Sequence, residues 1–279
     1  MELADPFWFV GCGNMAGAMV EGWRLAGADL TKAIAIRPSG REVEGVRTVA
    51  SIADAGASPK VAVLGIKPQK LDEVAPLLDP RLAPDTVVLS ILAGVEVATL
   101  RQRLPSAGAI VRAMPNLPVA VRRGVVVLYG EPIGVERREQ ISQLFRPLGF
   151  AMWAASEAEL AAIGSMAGAG PAYVARFIAA LAKAGVQRGL DPEMAEMIAL
   201  ETVFGTAWLA SSTRETMEDI AGRVASPNGT TQAGLAVLDR EAVLDQLIAV
   251  AIDAAASRGA ELAEEARARA QLAAGVDLP

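Results

Sequence analysis

Two glycines and an alanine, spaced G-x-G-x-x-A, follow a short apolar run near the start of the chain. In FWFVGCGNMAGAM they are Gly11, Gly13 and Ala16. The first glycine permits a tight turn, the second lets the backbone approach a pyrophosphate, and the small third residue lets the helix pack on its strand. Free N–H groups at the helix start favour phosphate. The motif predicts a dinucleotide site that also includes Asn14 and Met15.

The residues after the second apolar run predict which dinucleotide binds. An NAD site usually has an acidic residue about 20 residues past the glycines, where it binds the ribose 2′-hydroxyl. Here AIAIRPSGRE supplies Arg37, Ser39 and Arg41. A guanidinium and a hydroxyl can bind a 2′-phosphate, which a carboxylate would repel. The sequence favours NADP(H); the alternative is a solvated polar loop.

A second helix start with free N–H groups is predicted late in the chain, in VASPNGTTQAG. The turn PNG precedes Thr230 and Thr231, and one of these threonines is expected to cap the helix. Neither is followed three residues later by Glu or Gln, so no capping box uses the N–H groups. The segment therefore either binds an anion or is a turn with an ordinary N-cap.

Composition narrows the classes of function. With 26 basic and 32 acidic residues and no basic run, nucleic-acid binding is not expected. Cys12 is the one cysteine and histidine is absent, which argues against a disulfide and against a metal site. No apolar stretch is long enough for a membrane span, and the acidic start differs from a signal peptide. We expect a cytoplasmic protein that acts on small molecules.

Two kinds of structure are predicted to position these residues. Up to residue 155, the apolar runs FWFV, AIAI, VAVLGI, TVVLSIL, AIVRAM and GVVVLY alternate with helical segments. This α/β alternation predicts a Rossmann-type domain over 1–155, with a parallel sheet and crossover helices. From Glu157 onward apolar residues recur at helical spacing, which predicts an all-helical domain over 156–279. Helix breaks are expected at GLDP, at SPNG and near Asp239.

Six segments of the chain, in this order, resemble the pyrroline-5-carboxylate reductases, the enzymes that complete proline synthesis. They are GCGNMAGAM, GIKPQ, SILAGV, RAMPNLP, GAGPAY and SPNGTTQAG. That family has an N-terminal Rossmann domain and a C-terminal helical domain that interlocks with a partner subunit. The resemblance implies NADPH-dependent reduction of the C=N bond of 1-pyrroline-5-carboxylate to L-proline by a homodimer or larger homo-oligomer.

The resemblance also implies roles for residues in two further parts of the chain. The turns GIKP and LAG would line the nicotinamide half of the cofactor with Ile66, Lys67, Pro68, Ala93 and Gly94. The SPNGTT loop would hold the substrate carboxylate through N–H groups and hydroxyls of Ser226, Gly229, Thr230 and Thr231. The second threonine, Thr231, matches the one beside the ring nitrogen.

Imine reduction suits a chain without histidine. Reduction of a C=O bond leaves an alkoxide and needs a strong proton donor such as His, Lys or Tyr. The nitrogen of a C=N bond is basic and can enter as the iminium, so placing cofactor and substrate supplies much of the catalysis. A hydroxyl or a bound water can deliver the proton, and Thr231 is the candidate catalytic residue.

Three alternatives stay open at this stage. The β-hydroxyacid dehydrogenases share the two-domain build but carry a catalytic lysine where this chain has Val174. The substrate could be another cyclic imine, or the chain could be an inactive NADP-binding paralogue. Both ideas rest on departures from the reductase pattern, which usually has glycine at Asn228, an acidic residue at Gly222 and serines at Ala167 and Ala169.

Overall fold

The apolar runs of the first half of the chain form one eight-stranded sheet. The structure, a computed structural model, describes residues 3–273, with the backbone alone at 270–273. The strands are β1 (Phe7–Val10), β2 (Ala33–Ile36), β3 (Arg47–Val49), β4 (Val61–Leu64), β5 (Val87–Ser90), β6 (Ala109–Pro115), β7 (Gly124–Gly130) and β8 (Gly149–Trp153). Their order is β3-β2-β1-β4-β5-β6-β7-β8. All six predicted strands are present, which confirms the Rossmann-type prediction.

The sheet is parallel except between β6 and β7, which pair antiparallel. This exception corrects the expectation of a wholly parallel sheet, and its cause is the length of the connection. Only residues 116–123 separate the two strands. A parallel crossover needs about a dozen residues or more, so a connection this short returns the chain antiparallel.

Helices cover both faces of the sheet, which explains why the strands are continuous apolar runs. They are α1 (Asn14–Leu25), α2 (Leu71–Leu78), α3 (Val97–Arg103), α4 (Val135–Phe145) and α5 (Glu157–Ile163). Side chains of β1 alternate between two buried clusters: Phe7 and Phe9 pack with Trp23 of α1, while Trp8 and Val10 pack on the opposite face. The strand that precedes the Gly-rich turn is therefore fixed from both sides.

The second half of the chain is helical, as predicted. It contains α6 (Gly170–Gln187), α7 (Pro192–Thr213), α8 (Met217–Val224), α9 (Thr230–Leu238) and α10 (Val243–Ala273). The predicted breaks at GLDP, at SPNG and near Asp239 separate α6 from α7, α8 from α9 and α9 from α10, whereas the break between α7 and α8, at 214–216, was not predicted. Asp191 caps α7 by accepting the N–H groups of Glu193 and Met194 at 3.0 and 3.1 Å. A π-helical turn, Gly164–Gly168, follows α5.

Contacts divide the chain into two compact units. The first, here called the sheet unit, takes in residues 3–169 and 255–273, and the helical unit is 170–254. Helix α10 begins in the helical unit and ends in the sheet unit. The domain boundary at residue 156 was predicted from the change between strand-like and helical residue patterns. Helix α5 begins next to it, at Glu157, with Ser156 as its N-cap.

Large apolar side chains lie at the surface of the helical unit. Phe204, Met197 and Trp208 are 62%, 60% and 54% exposed, whereas residues buried within this unit include small ones such as Ala195 and Ala199. Exposed large apolar side chains in this number are typical of an association surface. None of the helices that the structure describes is both long enough and apolar enough to cross a membrane.

Candidate cofactor and substrate sites

The predicted cofactor residues meet at the carboxyl edge of the sheet. Val10 pairs in register with Ile36 and Leu64, and Leu64 pairs with Ser90. Because these strands are parallel, the segments that follow them leave the sheet side by side. In such sheets a ligand binds where the chain order reverses, here between β1 and β4. The structure thus brings together the Gly-rich turn, the Arg37 loop and the two turns predicted to line the nicotinamide.

Gly11 can be replaced by no other residue without strain. Its φ is +80°, in the left-handed region that glycine favours. A Cβ atom at Gly11 would lie 2.7 Å from Cγ2 of Ile66 and 2.8 Å from its backbone nitrogen. The tight turn therefore needs glycine both for its backbone angles and for its contact with the turn after β4.

Gly13, unlike the crowded Gly11, faces open space. It is the N-cap of α1, no side chain caps the helix, and the first turn holds no acidic residue. A Cβ atom at Gly13 would meet nothing within 4 Å. The helix start, with Asn14 and Met15 as its first residues, therefore has free space and free N–H groups for a pyrophosphate.

Ala16 is fully buried and lies against the turn after β4. A Cβ atom placed on Gly65 would be 3.1 Å from the Cβ of Ala16. A larger side chain at Ala16 would push α1 away from the sheet, so the third position of the motif has the packing role that the sequence predicts.

The electrostatics of the turn involve Cys12 and Arg37. Burial raises the pKa of the Cys12 thiol, and the positive charge of Arg37 opposes that shift. The thiol is therefore neutral at physiological pH, and the field of Arg37 reaches the Gly-rich turn. Arg37 donates to the backbone oxygen of Arg41 at 3.0 Å, and the Arg41 N–H donates to Ser39 at 3.3 Å. These bonds close the loop that carries the cationic group.

The two turns predicted to line the nicotinamide follow β4 and β5. After Ile66, Lys67 starts a short 3₁₀ turn over Pro68–Lys70. Gly94 has φ +73°, and a Cβ there would lie 2.8 Å from the Cβ of Leu262 in α10. Ala93, just before it, is exposed. The backbone at Ala93 and Gly94 is therefore covered on one side by α10 and accessible on the other.

The substrate loop corrects one prediction from the sequence. The N-cap of α9 is Gly229, with φ −83° and ψ 170°, so Thr230 and Thr231 are the first two helical residues and neither caps the helix. The cap falls one residue earlier because the turn closes at Gly229, whose N–H donates to the Ser226 oxygen at 2.9 Å. Gln232, three residues past the true cap, accepts the Asn228 N–H at 2.7 Å.

The start of α9 keeps free hydrogen-bond donors. Among the residues that the structure describes, the N–H groups of Thr230, Thr231 and Gln232 have no acceptor. A Cβ at Gly229 would clash with the Ser226 hydroxyl oxygen, so that hydroxyl lies directly over the cap. The four residues predicted to bind the substrate therefore lie together at the start of α9, where uncapped N–H groups and hydroxyls are available to an anion.

Residues in the segments GAGPAY and RAMPNLP, and the two departures at Ala167 and Gly222, differ in their surroundings. The Tyr173 hydroxyl donates to the Ala251 backbone oxygen at 3.4 Å, a contact within the helical unit. Asn116 donates to the Ala167 oxygen at 3.0 Å and accepts the Val125 N–H at 2.8 Å. A Cβ atom at Gly222, in contrast, would meet nothing within 4 Å.

Sequence reasoning missed a buried ion pair next to the cofactor edge. Arg112 of β6 is 6% exposed and pairs with Glu157, the first residue of α5. The one signal for it was an arginine inside the apolar run AIVRAM. Over the described residues 3–273, no group of three or more His, Cys, Asp or Glu side chains could hold a metal.

Two family models match separate parts of the chain. Residues 157–262 match the model described as pyrroline-5-carboxylate reductase dimerisation. Residues 7–94 match the model described as NADP oxidoreductase, coenzyme F420-dependent. The second match covers the Gly-rich turn, the Arg37 loop and the two turns that follow β4 and β5.

Similarity to known proteins extends over nearly the whole chain. Pyrroline-5-carboxylate reductase from Pseudomonas aeruginosa is 35% identical over 264 residues, 92% of this chain and 96% of its own length. The structure of a pyrroline-5-carboxylate reductase from Coxiella burnetii is 30% identical with a TM-score of 0.83, covering 93% of this chain and 99% of that one. The Plasmodium falciparum pyrroline carboxylate reductase with NADP bound has the same fold, with a TM-score of 0.84 at 23% identity over 94% of this chain and 99% of that one.

Proposed function

The chain belongs to the pyrroline-5-carboxylate reductase family, and from that premise we infer that it reduces 1-pyrroline-5-carboxylate to L-proline with NADPH. The observation that carries this conclusion is the full-length similarity to reductases of that name. The protein is thus an NADP-dependent oxidoreductase of proline biosynthesis that acts on a CH–NH bond.

We propose that the carboxyl edge of the sheet holds NADP(H). The Gly-rich turn fits a dinucleotide because Gly11 closes the turn, Gly13 leaves open space, and α1 offers uncapped N–H groups. Arg37 and Ser39 would bind the 2′-phosphate, since they form one closed loop at the end of β2. The nicotinamide half would lie along Ile66, Lys67, Pro68, Ala93 and Gly94.

We propose that the substrate carboxylate binds at the start of α9. The N–H groups there point out of the helix with the positive end of its dipole, and the hydroxyls of Ser226, Thr230 and Thr231 add donors. Bound NADPH supplies the hydride that the C=N carbon accepts. The Thr231 hydroxyl would hydrogen-bond to the ring nitrogen, holding the iminium proton so that reduction yields the CH–NH group.

The protein forms a homo-oligomer. The match of residues 157–262 to a dimerisation model and the exposed apolar side chains of α7 both support this statement. We propose that residues 156–279 are the domain that binds the substrate and forms the dimer. Light scattering at micromolar concentration should then show a dimer or a larger species, and a stable monomer would contradict the assignment.

The experiment that tests the function compares two rings. NADPH oxidation is followed with 1-pyrroline-5-carboxylate and with 1-pyrroline, the same ring without its carboxylate. Loss of the charge-assisted hydrogen bonds to the loop should lower kcat/KM by roughly tenfold to a hundredfold for 1-pyrroline. Equal reduction of both rings would indicate a general imine reductase. NADPH binding without reduction of either ring would indicate an inactive paralogue.

A further inference from the structure

The turn that joins β5 to α3 is fixed by residues distant in the sequence. Glu96 stands at the N-cap of α3, but its side chain makes no capping hydrogen bond. Its carboxylate instead pairs with Arg267 of α10 at 2.6 Å. The start of α3, three residues past Gly94, therefore needs another acceptor to hold it in place.

Glu157 supplies that acceptor from α5. One oxygen of its carboxylate accepts the Val97 N–H, the first of α3, at 2.9 Å. The other oxygen pairs with the Arg112 guanidinium. A single carboxylate therefore links the start of α3 to the middle of β6.

The Arg112 end of this link lies beside the strand that leads into the turn. Arg112 pairs in register with Ser90, the last residue of β5. Its side chain is 7% exposed and that of Glu157 is 28% exposed. Removing the carboxylate would leave the buried Arg112 guanidinium without its paired charge, which is costly, so Arg112 favours Glu157 in this position. The turn is thus held at both ends, at Ser90 by the sheet and at Val97 by Glu157.

We propose that Glu157 is a positioning residue for hydride transfer, acting with Arg112 to hold the Ala93–Gly94 backbone against the nicotinamide. This inference rests on the proposed function, because it assigns the turn to the nicotinamide half of the cofactor. Hydride transfer depends steeply on distance and orientation, so a small displacement of this turn lowers the rate more than it weakens cofactor binding.

The chain contains a closely matched control for Glu157. Glu131 also pairs with an arginine, Arg101, at 2.6 Å and also accepts a backbone N–H, that of Ile110, at 3.1 Å. Its side chain is 25% exposed, close to the 28% of Glu157. The Glu131 pair joins the last turn of α3 to the beginning of β6, away from the Ala93–Gly94 turn. Both glutamates make the same kinds of contact, but only Glu157 touches the start of α3.

The test compares Glu157→Ala and Glu157→Gln with Glu131→Ala and Glu131→Gln in the full-length protein. For Glu157→Ala, kcat with 1-pyrroline-5-carboxylate should fall about tenfold to a hundredfold, while the NADPH dissociation constant changes less than about threefold. Glu157→Gln keeps an oxygen for the Val97 N–H and should retain more activity. Amide hydrogen exchange over residues 92–97, measured without substrate, should accelerate in Glu157→Ala and stay unchanged in Glu131→Ala.

Two results would overturn the proposal. One is an equal fall in kcat for the Glu157 and Glu131 variants when both lower the melting temperature by the same amount. This result would indicate that the Arg112–Glu157 pair has a purely structural role. The other is unchanged hydrogen exchange over residues 92–97 in both Glu157 variants. A wild-type protein that binds NADPH but does not reduce the imine would count against the proposed function, and the exchange data would still decide whether Glu157 holds the turn.

Discussion

The starts of α1 and α9 are alike in backbone chemistry and differ in what surrounds them. Both helices begin after a glycine N-cap, neither receives a side-chain cap, and neither has an acidic residue in its first turn. Helix α4 also follows a glycine, but Glu136 lies in its first turn near the positive end of the dipole. The starts of α1 and α9 leave that positive end available to a ligand.

The difference between the two starts lies at the glycines themselves. The space around Gly13 is open, whereas the Ser226 hydroxyl lies over Gly229. The α1 start can therefore accept a bulky pyrophosphate through backbone donors. The α9 start is lined by hydroxyls, which suits a small carboxylate and a neighbouring ring nitrogen. We therefore expect two similar helix ends to bind different ligands because one or two adjacent side chains differ.

The largest effects are expected when Gly11→Ala is compared with Gly13→Ala. Gly11→Ala should destabilise the fold by about 2–4 kcal/mol, because it combines a positive φ with a clash against Ile66. Gly13→Ala should leave stability nearly unchanged but weaken NADPH binding roughly tenfold or more, since its methyl group enters the open space. Urea denaturation and NADPH fluorescence titration separate the two outcomes. Normal NADPH affinity in Gly13→Ala would show that the open space is not the pyrophosphate site.

The next effect concerns the hydroxyl of Thr231. Thr231→Val keeps the shape of the side chain and removes the hydroxyl, so kcat should fall roughly tenfold to a hundredfold with NADPH affinity unchanged. Thr231→Ser keeps the hydroxyl and should retain most of the activity. Steady-state kinetics on 1-pyrroline-5-carboxylate check both variants. Full activity in Thr231→Val would remove the distinction between the two helix starts, because α9 would then act through its N–H groups alone.

A smaller effect on NADPH affinity is expected at Arg37, which we propose binds the 2′-phosphate. Arg37→Ala should weaken NADPH binding about threefold to tenfold, because a partly exposed charge contributes only about 1 kcal/mol. NADH affinity should stay the same, since it lacks the phosphate. Arg47→Ala, an exposed arginine on neighbouring β3, is the control. Equal losses for NADPH and NADH would show that Arg37 acts on the loop and not on the phosphate.

The fold was largely predictable because burial on both faces of a sheet gives continuous apolar runs, as in β1 and β4. Strands β3 and β8 lie at the edges of the sheet, and their patterns are weak because edge strands are partly exposed; β3 is only Arg47–Val49. The direction of β7 is set by the short connection 116–123. The apolar pattern of a strand does not indicate its direction in the sheet.

The meeting of the predicted cofactor residues at one edge of the sheet was predictable, because each segment follows a predicted strand and parallel strands end at the same edge. The cap of α9 was assigned to Thr230 or Thr231, one or two residues late, because threonine and glycine are about equally favoured as N-caps and residue type alone does not locate the cap. The Arg112–Glu157 pair was missed, because its members are 45 residues apart and no local periodicity joins them. Contacts of this kind depend on tertiary packing, which a single sequence specifies only indirectly.

The smallest effect is expected at Asn228, beside the cap of α9. Asn228 has φ +59°, which asparagine tolerates better than most residues, and its N–H donates to Gln232. Asn228→Gly removes the backbone strain but raises the conformational entropy of the unfolded chain, so the free energy of unfolding should change by less than about 1 kcal/mol. Asn228→Ala should lower the free energy of unfolding by about 1 kcal/mol, because the left-handed region is less favourable for alanine than for asparagine. Both variants keep the N–H groups of α9, and kcat/KM for Asn228→Gly should stay near wild type. If Asn228→Gly instead changes the preference between 1-pyrroline-5-carboxylate and 1-pyrroline, the asparagine side chain contacts substrate, and this departure from the reductase pattern alters specificity.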